Sequence, residues 1–218
     1  MKIPGFLNIH KKTEPLPEKD WLYYDLQEAC QSRVCPICFH LRYQEKQYLE
    51  NIFYENVNDP PLRQKLRESP GFCDGHIRLI LEMGDALGLA IIAGDIAAHL
   101  IKENKFNQAS APCFFCRKYE GREQRTVKAF GNYLNDSEFR NSLCASVGLC
   151  RRHHYLLFQL NKDVVIRNFL KKLLKMKMQK WLSQLNEFIR KNDYRFQDEK
   201  IENDETESIQ ILWNLFRR

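Results

Sequence analysis

The sequence contains two Cys-x-x-Cys pairs and two Cys-x-x-His pairs, which alternate along the chain. Thiolate and imidazole are the usual ligands of structural zinc, and three cysteines with one histidine complete a closed tetrahedral site. Read in chain order, the pairs predict two such sites. The first would consist of Cys35, Cys38, Cys73 and His76, and the second of Cys113, Cys116, Cys150 and His153.

The spacing of these pairs indicates an internal duplication. There are 34 residues between Cys38 and Cys73, and 33 between Cys116 and Cys150. Residues 57–73 align without a gap with residues 134–150, and seven of the 17 aligned positions are identical. Two copies at so long a period are typical of a duplicated module and not of a repeat array. We therefore expect two similar halves, packed around a pseudo-two-fold axis.

Several metals suit such ligands. Structural zinc is the first expectation, because four protein ligands leave no position for water. Cys₃His iron–sulfur clusters are the alternative, and they would imply redox chemistry. A catalytic zinc would need one ligand to leave. We expect each pair to begin a helix, since a helix N-terminus favours thiolate over thiol.

Composition favours a globular protein of the cytoplasm. The 218 residues are 44% hydrophobic, and the first residues lack the long apolar run of a secretory signal. No apolar stretch is long enough to predict a membrane span. Six of the eight cysteines belong to the paired motifs, so metal binding explains them better than disulfide bonds do.

Apolar residues recur at helical spacing, and strand-like alternation is absent. The predicted fold is all-α: two tandem-duplicated three-helix modules, each stapled by a Cys₃His site, with N-terminal and C-terminal flanking helices. We divide the chain into residues 1–107 (first helix and first repeat), 108–160 (second repeat) and 161–218 (a long helix and a docking helix). Residues 108–112 are the expected linker between the modules. The expected helices span about 18–32, 36–56, 74–103, 114–133, 162–191 and 205–216, with a short helix after Asn58-Asp59 and after Asn135-Asp136.

Three further segments attract attention. Residues 162–191 hold nine Lys or Arg against two Asp or Glu, which predicts either a polyanion-binding surface or, the preferred interpretation, a solvated face. Residues 86–98 are dense in Ala and Gly, which predicts a helix in the core between the modules, with a dimer face as the alternative. A polar set ends the long helix and is expected to form a salt-bridge cluster, although a functional site is the alternative: Lys191, Asp193, Tyr194 and Arg195.

The duplicated Cys/His pattern, the Gly-Phe-Cys-Asp-Gly-His sequence at 71–76 and the Lys-Asn-Asp-Tyr-Arg-Phe sequence at 191–196 resemble a bacterial and archaeal domain family of unknown function. The resemblance covers most of the chain. It implies a cytoplasmic prokaryotic protein with one metal site in each repeat. It implies no activity, substrate or partner.

The sequence offers no nucleophile–base pair, phosphate loop or carboxylate pair specific enough to name, so no catalytic or organic-cofactor residue is assigned. We expect a zinc protein that serves for interaction or scaffolding, with a protein partner whose identity the sequence does not give. The alternatives are a redox or sensor protein, with iron–sulfur clusters or switchable zinc thiolates, and a nucleic-acid or other polyanion binder acting through residues 162–191. The oligomeric state is not determined by the sequence.

Overall fold

The computed structural model describes residues 17–69, 72–104 and 112–216, and within these ranges every regular element is helical. The all-α prediction is therefore confirmed. Most of the expected linker, residues 108–111, lies outside the described residues. The division of the chain at residues 107 and 160 stays a prediction.

The described residues form eleven α-helices and one 3₁₀ turn. They are α1 (Trp21–Ala29), α2 (Pro36–Tyr54), α3 (Pro60–Glu68), α4 (Asp74–Met83), α5 (Ala86–Glu103), α6 (Phe114–Lys118), α7 (Arg122–Tyr133), α8 (Ser137–Ala145), α9 (Arg151–Leu160), α10 (Val164–Lys191), the turn Tyr194–Phe196 and α11 (Asn203–Leu215).

The short helices begin at the aspartates expected to cap them. Asp59 accepts a hydrogen bond from the Leu62 amide at the start of α3. Asp136 does the same for the Glu138 amide at the start of α8. Each cap satisfies one amide that the first turn of a helix leaves unpaired.

Two of the expected long helices are interrupted at glycines. The helix expected over 114–133 is divided into α6 and α7 at Gly121, whose φ is +72°. The helix expected over 74–103 is divided into α4 and α5 at Gly84, whose φ is +75°. Glycine adopts this left-handed conformation at no steric cost, so it ends a helix readily. Helix α1 is also shorter than expected, because Asp20 caps it by accepting a hydrogen bond from the Tyr23 amide.

The larger core joins α1 and the start of α2 to the second repeat. Tyr23 is fully buried, lies 5.3 Å from the rings of Tyr133 and Phe139, and donates a hydrogen bond of 2.7 Å to Asp136. Tyr133 donates one of 2.6 Å to Asp20. Each of these helix-capping aspartates is thus tied to a tyrosine of the other half, which fixes α1 against α7 and α8.

A second core, which we call the first-repeat core although Cys113 and Phe115 of the second repeat join it, forms around the far end of α2. Its members come from α2 to α6 and include Leu49, Phe53, Leu66, Ile80 and Phe115. Helix α2 therefore contributes its first turn to one core and its last turns to the other. A helix of 19 residues is about 28 Å long, so these two ends are far apart.

The long helix α10 closes the structure and packs against α11. Trp181 donates a hydrogen bond of 3.0 Å to the Val147 carbonyl, and its ring packs with Ile211 and Leu215. Lys177, expected on the solvated face, is instead 6% exposed and donates to the carbonyls of Cys144 and Ser146. That expectation is wrong because this lysine caps a turn which leaves two buried carbonyls without helical partners.

The expectation that residues 86–98 lie in the core between the modules holds for one side of α5 only. Ile92, with Leu89 and Ile96 beside it, packs in the core that includes Phe115 of the second repeat. Only Gly88 and Ile92 of α5 are buried, whereas Leu87 is 72% exposed and Ile101 is 69% exposed. Helix α5 packs one side on α2 and α3 and leaves the other side open. The small residues on that open side therefore do not serve close packing within this chain.

Candidate metal centres

The structure brings all eight predicted ligands into two groups, but it pairs them across the repeats. Cys35, Cys38, Cys150 and His153 form one group, and Cys73, His76, Cys113 and Cys116 form the other. We call these the outer site and the inner site, because the second lies within the chain segment that the first one encloses. The expected grouping by chain order is wrong: each Cys-x-x-Cys pair meets the Cys-x-x-His pair of the other repeat.

The length of α2 explains this pairing. Cys35 and Cys38 lie at the start of α2, whereas the first-repeat core, which includes α4, forms around its opposite end. Cys73 and His76 open α4 and so lie near that core. A straight helix of 19 residues cannot bring its own first turn to them.

All four pairs lie at helix starts, as expected. The first cysteine of each pair is the N-cap residue of a helix: Cys35 of α2, Cys73 of α4, Cys113 of α6 and Cys150 of α9. In α9 the cysteine sulfur also accepts a hydrogen bond of 3.4 Å from the His153 amide. The positive end of each helix therefore faces sulfur, which favours the thiolate that a metal requires.

A buried apolar residue anchors each Cys-x-x-Cys turn. Ile37 in the first turn and Phe115 in the second are both 0% exposed. Phe115 also lies 5.3 Å from the His76 ring and 5.2 Å from the Phe72 ring. The residue between the two cysteines thus inserts into the core and holds both sulfurs at the surface of that core.

The distances in the outer site match the edges of a metal tetrahedron. The sulfurs of Cys38 and Cys150 are 3.7 Å apart, and the Nδ1 atom of His153 lies 3.2–3.4 Å from all three sulfurs. Tetrahedral zinc with its usual bond lengths places two sulfurs about 3.8 Å apart, and sulfur about 3.6 Å from nitrogen. A disulfide would need about 2.05 Å between sulfurs, so these thiols are unbonded.

The inner site has the same geometry. The sulfurs of Cys73 and Cys116 are 3.7 Å apart. The Nδ1 atom of His76 lies 3.1 Å from the Cys73 sulfur, 3.5 Å from Cys113 and 3.6 Å from Cys116. Both sites therefore offer the same donor atoms at the same separations, as two halves related by a pseudo-two-fold axis would.

Ionisation within the clusters also fits a cation. Partial desolvation of its sulfur, and then the neighbouring Cys73 sulfur, raises the pKa of the Cys116 thiol to about 12. In the outer site, hydrogen bonds with Cys35 and Cys38 lower the pKa of Cys150, while hydrogen bonds with Cys150 and Cys35 raise the pKa of Cys38. Three thiolates so close together repel one another. A divalent cation at the centre offsets that repulsion, so the residues present fit a metal.

The outer site has a supporting shell that the sequence analysis did not identify. Glu123 lies 3.1 Å from the Nε2 atom of His153, and Arg152 donates two hydrogen bonds of 2.6 Å to the same carboxylate. The Arg152 guanidinium holds the pKa of Glu123 below its usual value, so the carboxylate stays charged. A carboxylate on the second nitrogen fixes the tautomer and orientation of a metal-binding histidine.

Among the residues that the structure describes, the inner site has no such shell. At the spacing of 78 that separates the two Cys-x-x-Cys pairs, Glu123 corresponds to Glu45; at the spacing of 77 that separates the two Cys-x-x-His pairs, Arg152 corresponds to Gly75. Within the described residues, Glu45 makes no hydrogen bond to His76. The Glu123 contact could not be recognised from sequence, because an isolated glutamate carries no motif.

Exposure separates the two sites further. In the outer site Cys35 and Cys150 are both 2% exposed, and His153 is 3% exposed. In the inner site Cys73 and Cys116 are exposed to solvent. The outer site is therefore built into the main core, whereas two sulfurs of the inner site can be reached by molecules in solution.

The polar set at the end of α10 has internal partners. Lys191 pairs with Glu205 at 2.7 Å, and Asp193 pairs with Arg195 at 2.8 Å. Asp193 also accepts a hydrogen bond from the Arg195 amide and so caps the turn Tyr194–Phe196. Lys191, Asp193 and Arg195 therefore form salt bridges and a cap at the end of α10, which is the expected salt-bridge cluster.

Comparison with known proteins agrees with the duplication. The sequence model of a family described as a family of unknown function (DUF6062) matches the chain twice, over residues 23–111 and 100–210. The chain belongs to the DUF6062 family. The two matches follow one another along the chain. Each of them contains one Cys-x-x-Cys pair and one Cys-x-x-His pair. For a DUF6062 protein, the geometry above therefore describes two candidate Cys₃His metal sites shared between tandem halves.

A curated relative comes from a bacterium. An uncharacterized 23.9 kDa protein in the xynA 3' region of Caldicellulosiruptor sp. (strain Rt8B.4) is 29% identical over 170 residues, which cover 74% of this chain and 83% of the relative. No solved structure matches the chain. Among the described residues, no helix has both the length and the apolar character needed to cross a membrane.

Proposed function

We propose that this DUF6062 protein binds two zinc ions, which hold its helices together as a module for interaction or scaffolding without catalytic activity. The observation that carries the proposal is the pair of four-ligand groups whose atoms all lie within 4.8 Å of one another. Four protein ligands at tetrahedral separations fill the coordination of zinc and leave no position for a substrate or an activated water.

The same distances favour a single ion over an iron–sulfur cluster. A cluster spreads its protein ligands over two or more iron atoms. Ligands on different iron atoms are therefore farther apart than the 4.8 Å within which all four ligand atoms of each site lie. A reducing compartment such as the cytoplasm fits the eight free cysteines.

Metal analysis of protein purified without oxygen tests this proposal. We expect colourless protein with two zinc ions per chain, and loss of helical circular dichroism on treatment with a strong chelator, because binding at such sites contributes to folding. Brown protein with absorbance near 400 nm would contradict the assignment of zinc. Full helical content after complete zinc removal would contradict its structural role.

Exposure of the inner site favours a second candidate, a thiol switch. Cys73 and Cys116 are exposed, and their sulfurs are 3.7 Å apart. A peroxide would take two electrons from these two thiolates, which would form one S–S bond as the peroxide is reduced to two hydroxide ions and the metal is released. Treatment with hydrogen peroxide should then release one zinc per chain, and thiol reduction should allow it to bind again. Release of both ions together, or of neither, would count against a switch.

Polyanion binding through residues 162–191 receives less support. Lys177 is buried, Arg190 pairs with Glu187 and Glu199, and Lys191 pairs with Glu205. These contacts occupy three of the nine basic side chains in the segment. We therefore propose a protein as the favoured partner and keep a nucleic acid as the alternative.

A further inference from the structure

Helix α5 has an exposed side without a single polar residue. Between residues 86 and 101, every exposed position is apolar or glycine: Ala86, Leu87, Ala90, Ala93, Gly94, Ala97, Ala98 and Ile101. We call these eight residues the α5 face. Its polar neighbour Asp95 turns away and pairs with Arg63 and Arg67 on α3. The exposed side of a helix is normally polar, so an exposed apolar side is normally covered by another surface.

Along the centre line of this face, the order of residue sizes is the same in both directions. Gly94 lies at the centre, Ala90 and Ala98 lie four residues to either side, and Leu87 and Ile101 lie seven residues to either side. At 3.6 residues per turn, these five positions form one narrow stripe. A two-fold interface requires a surface that is complementary to itself. An antiparallel second copy, with its axis at Gly94, would place each large residue beside a large one and each small residue beside a small one.

The centre of the stripe is open enough for a second helix. A Cβ atom added at Gly94 would meet nothing within 4 Å, whereas one added at Gly88 would collide with Asp85 and the Phe53 carbonyl. Gly88 therefore serves packing within the chain, and Gly94 does not. A glycine in a helix costs roughly 0.5–1 kcal/mol relative to alanine. Close approach of another backbone at Gly94 would offset that cost.

The surface near Leu87 extends the face. Leu87, Tyr54 and Met83 line a groove of about 540 Å³, and Tyr54 is 84% exposed. In the antiparallel arrangement, Ile101 of the second copy reaches this groove. An exposed tyrosine adds on the order of 150 Å² to an apolar surface. Tyr54 and Met83 therefore enlarge the apolar surface that a second copy of the α5 face would cover.

We propose that this protein forms a homodimer in which the α5 helices of two copies cross antiparallel, with the two-fold axis at Gly94. The partner that fits this surface is a second copy of the chain. No residue of α5 is a metal ligand, so the dimer does not depend on which metal the two sites bind. It deepens the proposed function by naming a partner for the interaction module.

The decisive experiment measures the mass of the full zinc-loaded chain by light scattering and sedimentation. The parent protein should have twice the chain mass of 26.0 kDa. Gly94→Glu places two carboxylates together at the axis, so it should raise the dimer dissociation constant about 100-fold or more and yield the single-chain mass. The control is Ser183→Glu, which adds the same charge at an exposed position of α10 and should remain dimeric.

Two further measurements keep the outcome clear. Helical circular dichroism and zinc content should be the same in the parent and in Gly94→Glu, because beyond the adjoining residues and backbone of α5 itself no atom lies within 4 Å of the new side chain's Cβ. Gly94→Cys should form a disulfide-linked dimer under mild oxidation, since residues on a two-fold axis face each other, and the parent should not. A monomeric parent at about 100 µM would overturn the proposal. A dimer that tolerates Gly94→Glu would also overturn it.

Discussion

The sulfur atoms of Cys38 and Cys150 lie 3.7 Å apart although 112 positions of sequence separate the two residues. Cys73 and Cys116, which are 43 positions apart, meet at the same distance within the enclosed segment. The two sites are therefore nested along the chain, and each takes one pair of ligands from each repeat. The two repeats contribute opposite pairs to the two sites: the repeat that gives Cys-x-x-Cys to one site gives Cys-x-x-His to the other. The two repeats are therefore joined through their metal ligands.

Pairs of cysteine substitutions test this crossed arrangement directly. Cys38→Ser with Cys150→Ser removes two ligands from the outer site and none from the inner site, so this variant should retain one zinc per chain. Cys38→Ser with Cys73→Ser damages both sites, so it should bind no zinc tightly. The measurement is zinc per folded chain after competition with a chelator, with helical circular dichroism as the measure of folding.

Pairing by chain order would reverse these results. Cys38→Ser with Cys73→Ser would then keep one zinc, and Cys38→Ser with Cys150→Ser would lose both. Cys73→Ser with Cys116→Ser is the matched control for the inner site and should also retain one zinc. If the two inner-site changes removed both ions, the nested arrangement would be wrong.

The residues of the sites could be predicted from sequence, but their partners could not. A Cys-x-x-Cys or Cys-x-x-His pair is held in place by one helical turn, which its own spacing determines. Which pairs meet depends on the direction and length of α2, just as disulfide connectivity depends on the fold and not on cysteine spacing. The duplicated sequence made the crossed and uncrossed groupings equally consistent with the spacing.

The sequence predicted where the helices begin better than it predicted where they are interrupted and which of their side chains are buried. The caps Asp59 and Asp136 begin α3 and α8 as expected, because each supplies a local hydrogen bond. The interruptions at Gly84 and Gly121 could not be predicted, because a glycine within a helical pattern is compatible with a continuous helix as well as with a break. Burial of Lys177 likewise depends on carbonyls more than 30 positions away in sequence.

Loss of the Glu123 carboxylate should weaken zinc binding at the outer site alone. Glu123→Gln removes the charge that orients the second nitrogen of His153, 3.1 Å away. Comparable losses of a supporting carboxylate reduce metal affinity by roughly 10–100-fold. Chelator competition should therefore show one weakened zinc and one unchanged zinc per chain.

The chain offers a matched control for this change. Glu45→Gln alters the corresponding glutamate of the first repeat, which makes no hydrogen bond to His76 within the described residues. It should leave both zinc affinities unchanged. Equal weakening by Glu45→Gln and Glu123→Gln would mean that the His153 contact does not support the metal.

Zinc should leave the two sites at different rates. Cys73 and Cys116 are exposed, whereas Cys35 and Cys150 are each 2% exposed. Because a chelator must reach the metal or its ligands, the inner site should release zinc roughly tenfold or more faster than the outer site. A colorimetric chelator should record two phases of equal amplitude, one zinc each.

Substitutions assign the two phases. Cys116→Ser should abolish the fast phase and leave the slow one, while Cys38→Ser should do the opposite. A single phase for both ions in the parent protein would show that exposure of the inner-site sulfurs does not control release.

The Lys177 ammonium should stabilise the turn that leads into Cys150. It donates hydrogen bonds to the Cys144 and Ser146 carbonyls, and Gly148 in the same turn has a φ of +108° with the Lys177 side chain against it. Burial lowers the pKa of Lys177, so holding the charge there has a cost. Lys177→Met removes this cost but leaves two carbonyls unpaired, and we expect a net loss of about 1–3 kcal/mol in the free energy of unfolding. Urea unfolding of the zinc-loaded protein measures this difference.

Lys175→Met, at an exposed position two residues earlier, should change the free energy of unfolding by less than about 0.5 kcal/mol. A stabilised Lys177→Met protein would show that desolvation of the ammonium outweighs both hydrogen bonds.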